Sequence, residues 1–225
     1  MMQEQVDDIL RRMEAACKRA GRDVADVRLI AVSKTYPPDK VREAVECGLR
    51  VFGESRIPES EAKIPLCPSG LEWELIGHLQ RNKVRRALRF FDVIHAVDSM
   101  ALLTKINAVA KEMGKSVKVY LEVNVSGEIS KYGFGADEIL PVLDEATSLM
   151  NVDVCGLMTI PPFSPDAEDV RPYFRKLRKL RDEFAAASGF GLEELSMGMS
   201  GDFEVAIEEG ATCVRVGTAI FGARK

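Results

Sequence analysis

No apolar run in this 225-residue chain reaches the roughly 20 residues needed to span a bilayer. The opening segment, Met1 to Asp8, is polar and acidic, without the basic start and apolar stretch of a secretory leader. Cysteine is sparse: Cys17, Cys47, Cys67, Cys155 and Cys213 are five scattered residues with no CxxC spacing. Such an odd, dispersed set excludes a disulfide framework and reads as reduced packing residues. Only two histidines occur, His78 and His95, with no HExxH and no Cys/His cluster, so no metal is assigned. His95 falls inside an apolar run and reads as a core residue. GxSxG, GxGxxG and Walker loops are also missing. There is no excess of positive charge. The net charge of −4 argues against nucleic acid and against an anionic membrane as partner. A cytoplasmic protein is expected.

What is present is a core. Hydrophobic residues make up 46% of the chain, and no Gly/Ser-rich linker, low-complexity tract or short repeat divides it. The expected organisation is one domain over residues 1–225. Val6, Ile9, Leu10, Met13 and Cys17 share helical spacing, which predicts an extra amphipathic N-terminal helix. Strand-like runs then follow at 28–33, 50–53, 72–77, 93–97, 117–123, 152–159, 194–198 and 213–217. Helix-like segments alternate with them at 38–47, 58–63, 80–88, 99–113, 136–148, 165–187 and 202–209, with a short turn near Phe221.

Eight strand–helix units, with strands rich in Val, Ile and Leu, predict a (β/α)8 barrel of the TIM type. A doubly wound open sheet is the alternative, because periodicity does not reveal closure. Local punctuation agrees with the helices. Ser164-Pro165 reads as an N-cap followed by proline at the first helical position. Val170, Phe174, Leu177, Leu180 and Phe184 form one stripe, and Gly48 and Gly210 read as C-terminal stops.

Polar residues gather at the C-terminal ends of these strands, where barrels of this kind carry their chemistry. Lys34 closes the first run and is followed by Thr35, Pro37 and Pro38. A lysine packed at a strand mouth has its pKa lowered by desolvation, and a neutral amine can form a Schiff base. A solvated surface lysine is the plainer alternative. The last two strands supply Ser196 to Ser200 and then Arg215, Gly217 and Thr218, the corner that binds phosphate in such barrels. Glycine turns and a helix cap at Ser200 would explain the same residues. Arg215 points away from Val214 and Val216, either into the lumen or into an ion pair with Glu204 or Glu208. Asn124 and Met158 end the fifth and sixth strands. The basic stretches 81–86 and 171–181 read as solvated helix faces. An amine beside a phosphate cradle is what pyridoxal 5′-phosphate requires.

Seven segments carry a family likeness when taken in order. They are Ala31-Val32-Ser33-Lys34-Thr35, Phe52-Gly53-Glu54, Ile76 to Lys83, Val123 to Glu128 with Lys131 and Gly133, Gly156 to Ile160, Leu195 to Asp202, and Val214 to Gly222. The chain resembles the pyridoxal phosphate homeostasis proteins, small relatives of the alanine racemase N-terminal barrel. That resemblance implies an alanine racemase N-terminal-like barrel with pyridoxal phosphate held as a Schiff base on Lys34. It implies a phosphate held by Ser200, Gly217 and Thr218, with Arg215 near the pyridine ring and Ser196, Met199, Asn124 and Met158 around the site. It also implies a role in vitamin B6 and amino-acid balance without robust catalysis, with apo-enzymes that use the cofactor as possible recipients. Ser55-Arg56 stands where the family usually has Asn-Tyr, and Arg56 adds a charge able to attract an anion.

Two other functions are weighed against the carrier. A racemase needs two bases, and in related enzymes the second comes from an added C-terminal domain, whereas this sequence runs to Lys225 just past the eighth strand. A Schiff-base aldolase would use Lys34 without the cofactor. A monomer is expected, since no exposed apolar helix face or heptad stands out.

Overall fold

The computed structural model describes residues 1–128 and 131–222. Its described strands are β1 (Arg28–Val32), β2 (Val51–Glu54), β3 (Glu72–Leu75), β4 (Val93–Val97), β5 (Val117–Glu122), β6 (Val152–Met158), β7 (Glu194–Met199) and β8 (Cys213–Val216). They pair in parallel and in chain order, and β1 pairs with β8 to close the barrel. Closure excludes the doubly wound open sheet. The helices are α1 (Met2–Ala20), α2 (Pro38–Glu46), α3 (Ile57–Lys63), α4 (Val84–Ala87), α5 (Met100–Glu112), α6 (Ile139–Ala146), α7 (Arg171–Ser188), α8 (Phe203–Glu208) and α9 (Thr218–Phe221).

The strands sit where the apolar runs predict, within one or two residues at each end. Three helices are shorter than predicted because each opens with a 3₁₀ turn: Arg81–Lys83 before α4, Ala136–Glu138 before α6 and Ala167–Val170 before α7. Ser164 does not cap α7. Its hydroxyl accepts from the Asp166 amide and donates to Asp169, and Asp166 caps the 3₁₀ turn through the Glu168 amide. The α-helix begins at Arg171, where Pro172, lacking an N–H, fits the first turn. The α7 stripe is otherwise as expected, with Val170, Phe174, Leu177 and Phe184 buried. Each such side chain contributes about 1.5–3 kcal/mol.

Alternation along each strand makes two cores. Outward residues such as Ala31, Phe52, Leu75 and Ile94 pack under the helices. Inward residues Ile30, Ala96, Tyr120, Met158 and Cys213 form a second cluster in the lumen. Below it, Arg28 donates to Glu74 at 2.6 Å and to Tyr120 at 3.1 Å, Tyr120 donates to Glu194, and Lys118 donates to Glu194 at 2.8 Å. The lumen is thus filled at its N-terminal end, a packed core and not a pore.

Helix α1 packs on α8 and α9, the helices that follow β7 and β8. Val6, Ile9, Met13 and Cys17 are buried there, but Leu10 is exposed, one position off the contact face. Arg12 lies over the Phe203 ring at 4.7 Å and pairs with Glu204 at 2.7 Å. Among the described residues, no helix is long and apolar enough to cross a membrane.

Candidate functional site

A cavity of about 380 Å³ opens at the C-terminal end of the barrel. Lys34 reaches it because β1 places Arg28, Ile30 and Val32 inward, and the alternation carries on to Lys34, which is half-buried on the cavity wall. Opposite lie Ser200, Gly217 and Thr218, with Met199 at the rim. The Ser200 hydroxyl accepts from the Gly217 amide at 3.2 Å and the Ala219 amide at 3.4 Å. Ser200 therefore organises the start of α9 and does not cap α8. Gly198, at φ 95°, lets β7 turn into this corner, and a side chain there would also strike Ala206.

Arg215 points into the lumen and forms the polar floor. It is 4% exposed and makes no ion pair among the described residues. Glu204 and Glu208 are taken by Arg12, Arg19 and Arg171, which excludes the ion-pair reading. Arg215 instead donates to the Thr159 carbonyl at 3.0 Å and to the Ser196 hydroxyl at 2.5 Å. Beneath it a buried chain continues. Ser196 meets His95 Nδ1 at 2.8 Å, and His95 Nε2 meets Glu74 at 2.6 Å. A carboxylate only accepts, so Nε2 carries the proton and Nδ1 accepts from Ser196 O–H. Burial holds His95 below its ordinary pKa against the pull of Glu74, which keeps it neutral as this arrangement requires. The direction is fixed: Arg215 to Ser196 to His95 to Glu74.

Two carboxyl groups border the cavity. Asp202 accepts from the Met199 amide at 2.6 Å, and burial pushes its pKa up against that hydrogen bond. Glu122 ends β5 facing inward, 8% exposed. Its carboxyl is pushed up to about 7, first by burial, then by Asp98, with Arg215 opposing.

The structure brings Lys34, Met199, Ser200, Arg215, Gly217 and Thr218 together on one cavity. Ser196 and Met158 lie beneath it, the first in the Arg215 chain and the second in the lumen cluster. Asn124 does something else. Its amide accepts from Ser126 and Gly127 and donates to the Glu128 carbonyl, closing its own loop. Arg56 is exposed at the start of α3 and does not line the cavity, so it places no charge on the site. His95 is buried in the core as expected, but it also serves Arg215, which its apolar surroundings in sequence concealed. Glu74 was visible only as a charge within a short strand. Tyr36, Ile76 and Asp202 also line the cavity and were not singled out by sequence. The basic stretches are paired: Arg86 with Glu61, Arg171 with Glu168, Glu208 and Glu209, and Arg175 with Glu209. A wider surface groove of about 670 Å³ between Arg81 and α5 gathers Thr104 and Lys105 but no carboxylate or histidine.

Comparison with known proteins places this geometry. The family described as the alanine racemase N-terminal domain matches residues 6–225. A pyridoxal phosphate homeostasis protein of Aquifex aeolicus is 47% identical over 223 residues, 99% of this chain and 98% of that one. That of Escherichia coli is 38% identical over 219 residues, 95% and 92% of the two chains. The structure of PipY from Synechococcus elongatus with pyridoxal phosphate bound superposes with TM-score 0.85 at 36% identity, covering 99% of this chain and 100% of that one. An alanine racemase of Clostridium difficile shares the fold alone, at 16% identity and TM-score 0.72, this chain covering 57% of it. The chain belongs to the alanine racemase N-terminal domain family and, within it, to the pyridoxal phosphate homeostasis proteins.

Proposed function

We propose that this protein binds pyridoxal 5′-phosphate in the cavity at the barrel mouth and acts in homeostasis of that cofactor as a carrier, not a catalyst. The observation that carries the reading is the convergence of a half-buried lysine with a neutral donor set on one cavity. The residues fit the group. Ser200 and Thr218 hydroxyls and the backbone at Gly217 suit a phosphate, and the cavity volume lies in the range of small-molecule sites. When bound, the cofactor supplies an aldehyde that condenses with a neutral primary amine and releases one water.

Lys34 would supply that amine, and the two hydrogens on its nitrogen would leave with the aldehyde oxygen as the water. Ser200, Gly217 and Thr218 would hold the phosphate. Arg215 would face the ring with its positive charge held in place, because the Ser196 hydroxyl and the Thr159 carbonyl accept from its guanidinium. A positive group there disfavours protonation of a ring nitrogen and so weakens the ring as an electron sink. This favours holding the cofactor over turning substrates over. Lys131 and Tyr132, the residues that could stand in for a second racemase base, do not line the cavity. Lys131 is paired with Glu128 at 3.2 Å, and Tyr132 is stacked on His78 at 4.2 Å. A monomeric, one-domain, cytoplasmic carrier that passes the cofactor to apo-enzymes completes the proposal.

The test is the visible spectrum of the purified protein with added cofactor, followed by borohydride reduction and peptide mapping. A band that converts to a pyridoxyl group on Lys34, and is lost in Lys34→Ala, is the expected result. A protein with no band, trapping carbonyl compounds on Lys34 instead, would favour the aldolase. Turnover of D- or L-alanine at enzyme-like rates would sink the non-catalytic reading.

A further inference from the structure

One buried ammonium grips the chain on both sides of Lys34. Lys63, at the end of α3, is 5% exposed. It donates to the Ser33 carbonyl at 2.8 Å, to Glu54 Oε1 at 2.8 Å and to Glu59 Oε1 at 2.9 Å, using all three of its N–H bonds. Glu59 Oε1 in turn accepts from the Thr35 amide at 2.5 Å. Ser33 Oγ donates to Glu54 Oε1 at 2.6 Å. The carbonyl before Lys34 and the amide after it are thus tied to the same cluster.

Thr35 is held where a β-branched residue resists going. Its φ is 72°, the only positive value among the described non-glycine residues. Strain of this kind persists only where the surroundings over-determine it. The cluster does not earn its place by stability alone. A buried ion pair is replaced by apolar side chains with little loss, and Glu54 Oε2 is buried without a hydrogen-bond partner among the described residues. Burial pushes the Glu54 carboxyl up against the pull of Lys63 and Ser33. For Glu59, burial is outweighed by Lys63 and the Thr35 amide, and its carboxyl is held low.

We infer that Lys63 and Glu59, with Glu54, are positioning residues that set the path of the chain through Ser33 and Thr35 and thereby aim the Lys34 amine into the cavity. The inference rests on the reading of Lys34 as the cofactor's anchor. The cluster holds the Ser33 carbonyl and hydroxyl before that anchor and the Thr35 amide after it, and acts on the cofactor through the anchor.

The test compares wild type with Glu59→Ala, Glu59→Gln and Lys63→Met. Two quantities are measured: the rate at which borohydride-reducible pyridoxyl appears on Lys34 after mixing, and hydrogen exchange of the Thr35 amide in cofactor-free protein. Total cofactor bound is followed by dialysis. Glu59→Ala and Lys63→Met are expected to label Lys34 about tenfold more slowly while still binding cofactor. Their Thr35 amide should exchange faster than in wild type. Glu59→Gln keeps an oxygen for that amide and should stay near wild type in both measurements. Melting temperatures within a few degrees of wild type would separate aiming from a loss of fold. If Lys63→Met does not fold, Glu59→Ala against Glu59→Gln decides alone. Wild-type labelling rates together with unchanged exchange would overturn the brace. Absence of label on Lys34 in wild type would overturn the cofactor reading instead, and the exchange measurement would still decide the brace.

Discussion

Glu122 is the residue whose chemistry departs furthest from its sequence. It looks like the polar end of a strand, yet closure turns it inward beside Asp98 and Arg215. Its carboxyl rises from 4.5 to about 7. A raised carboxyl binds its proton more tightly in the folded state than in the unfolded one. Its contribution is therefore complete below the unfolded value and is lost as pH climbs through the folded one. The loss is about 3 kcal/mol between these limits. Glutamine keeps the shape of the protonated acid. Denaturant unfolding of Glu122→Gln should match wild type near pH 4 and exceed it by about 3 kcal/mol near pH 8. His95 acts the other way. Burial lowers its pKa, so its contribution fades as pH falls, but both proteins share it and it cancels in the difference. A constant difference between the two proteins across this range would mean that folding leaves the Glu122 pKa unchanged.

At the level of elements, strands were legible because most are short segments rich in Val, Ile and Leu, a pattern that needs no partner to be recognised. Helix starts were less so. Ser164 carries the composition of a cap, but its hydroxyl bonds to Asp166 and Asp169, and no local pattern foretells a 3₁₀ turn before α7. The corner at Gly198, Ser200, Gly217 and Thr218 was legible because its glycines and hydroxyls lie close together in sequence within each of the two loops. The Lys63 cluster and the Glu74–His95–Ser196 chain were not, because strand pairing, and for Ser196 closure, brings together residues far apart in sequence. Alternation also leaves open which face of a strand is the lumen, so Arg215 was ambiguous until the barrel closed. The β6–β7 seam offers a direct check on how tightly those strands pair. A Cβ at Gly156 would overlap the carbonyl of Glu194. Gly156→Ala should cost at least about 3 kcal/mol by chemical denaturation. Gly191→Ala, which meets only the Glu193 side chain at 3.9 Å, should change stability by about 0.5 kcal/mol or less.

Across the whole molecule, the cavity is assembled from both ends of the chain. Lys34 follows β1, Ser200, Gly217 and Thr218 follow β7 and β8, and α1 packs on the helices of that corner. A ligand seated there bridges the first and last units of the barrel and stabilises only the closed form. Pyridoxal phosphate at a hundred times its dissociation constant should raise unfolding stability by about 2.7 kcal/mol. Lys34→Ala should lose most of that gain at the same cofactor concentration while melting like wild type without it. Equal gains in the two proteins, read by thermal and denaturant unfolding, would show that the lysine adds nothing to retention.

The salt-bridged floor of Arg28, Glu74, Glu194 and Lys118 has a consequence for traffic. The barrel is a cup, stoppered below and open above. On the carrier proposal, a molecule that enters over Lys34 would leave by the same mouth, so loading and delivery would share one doorway. A recipient would then meet the cofactor at the rim, and while it stood there it would also shut out the next molecule.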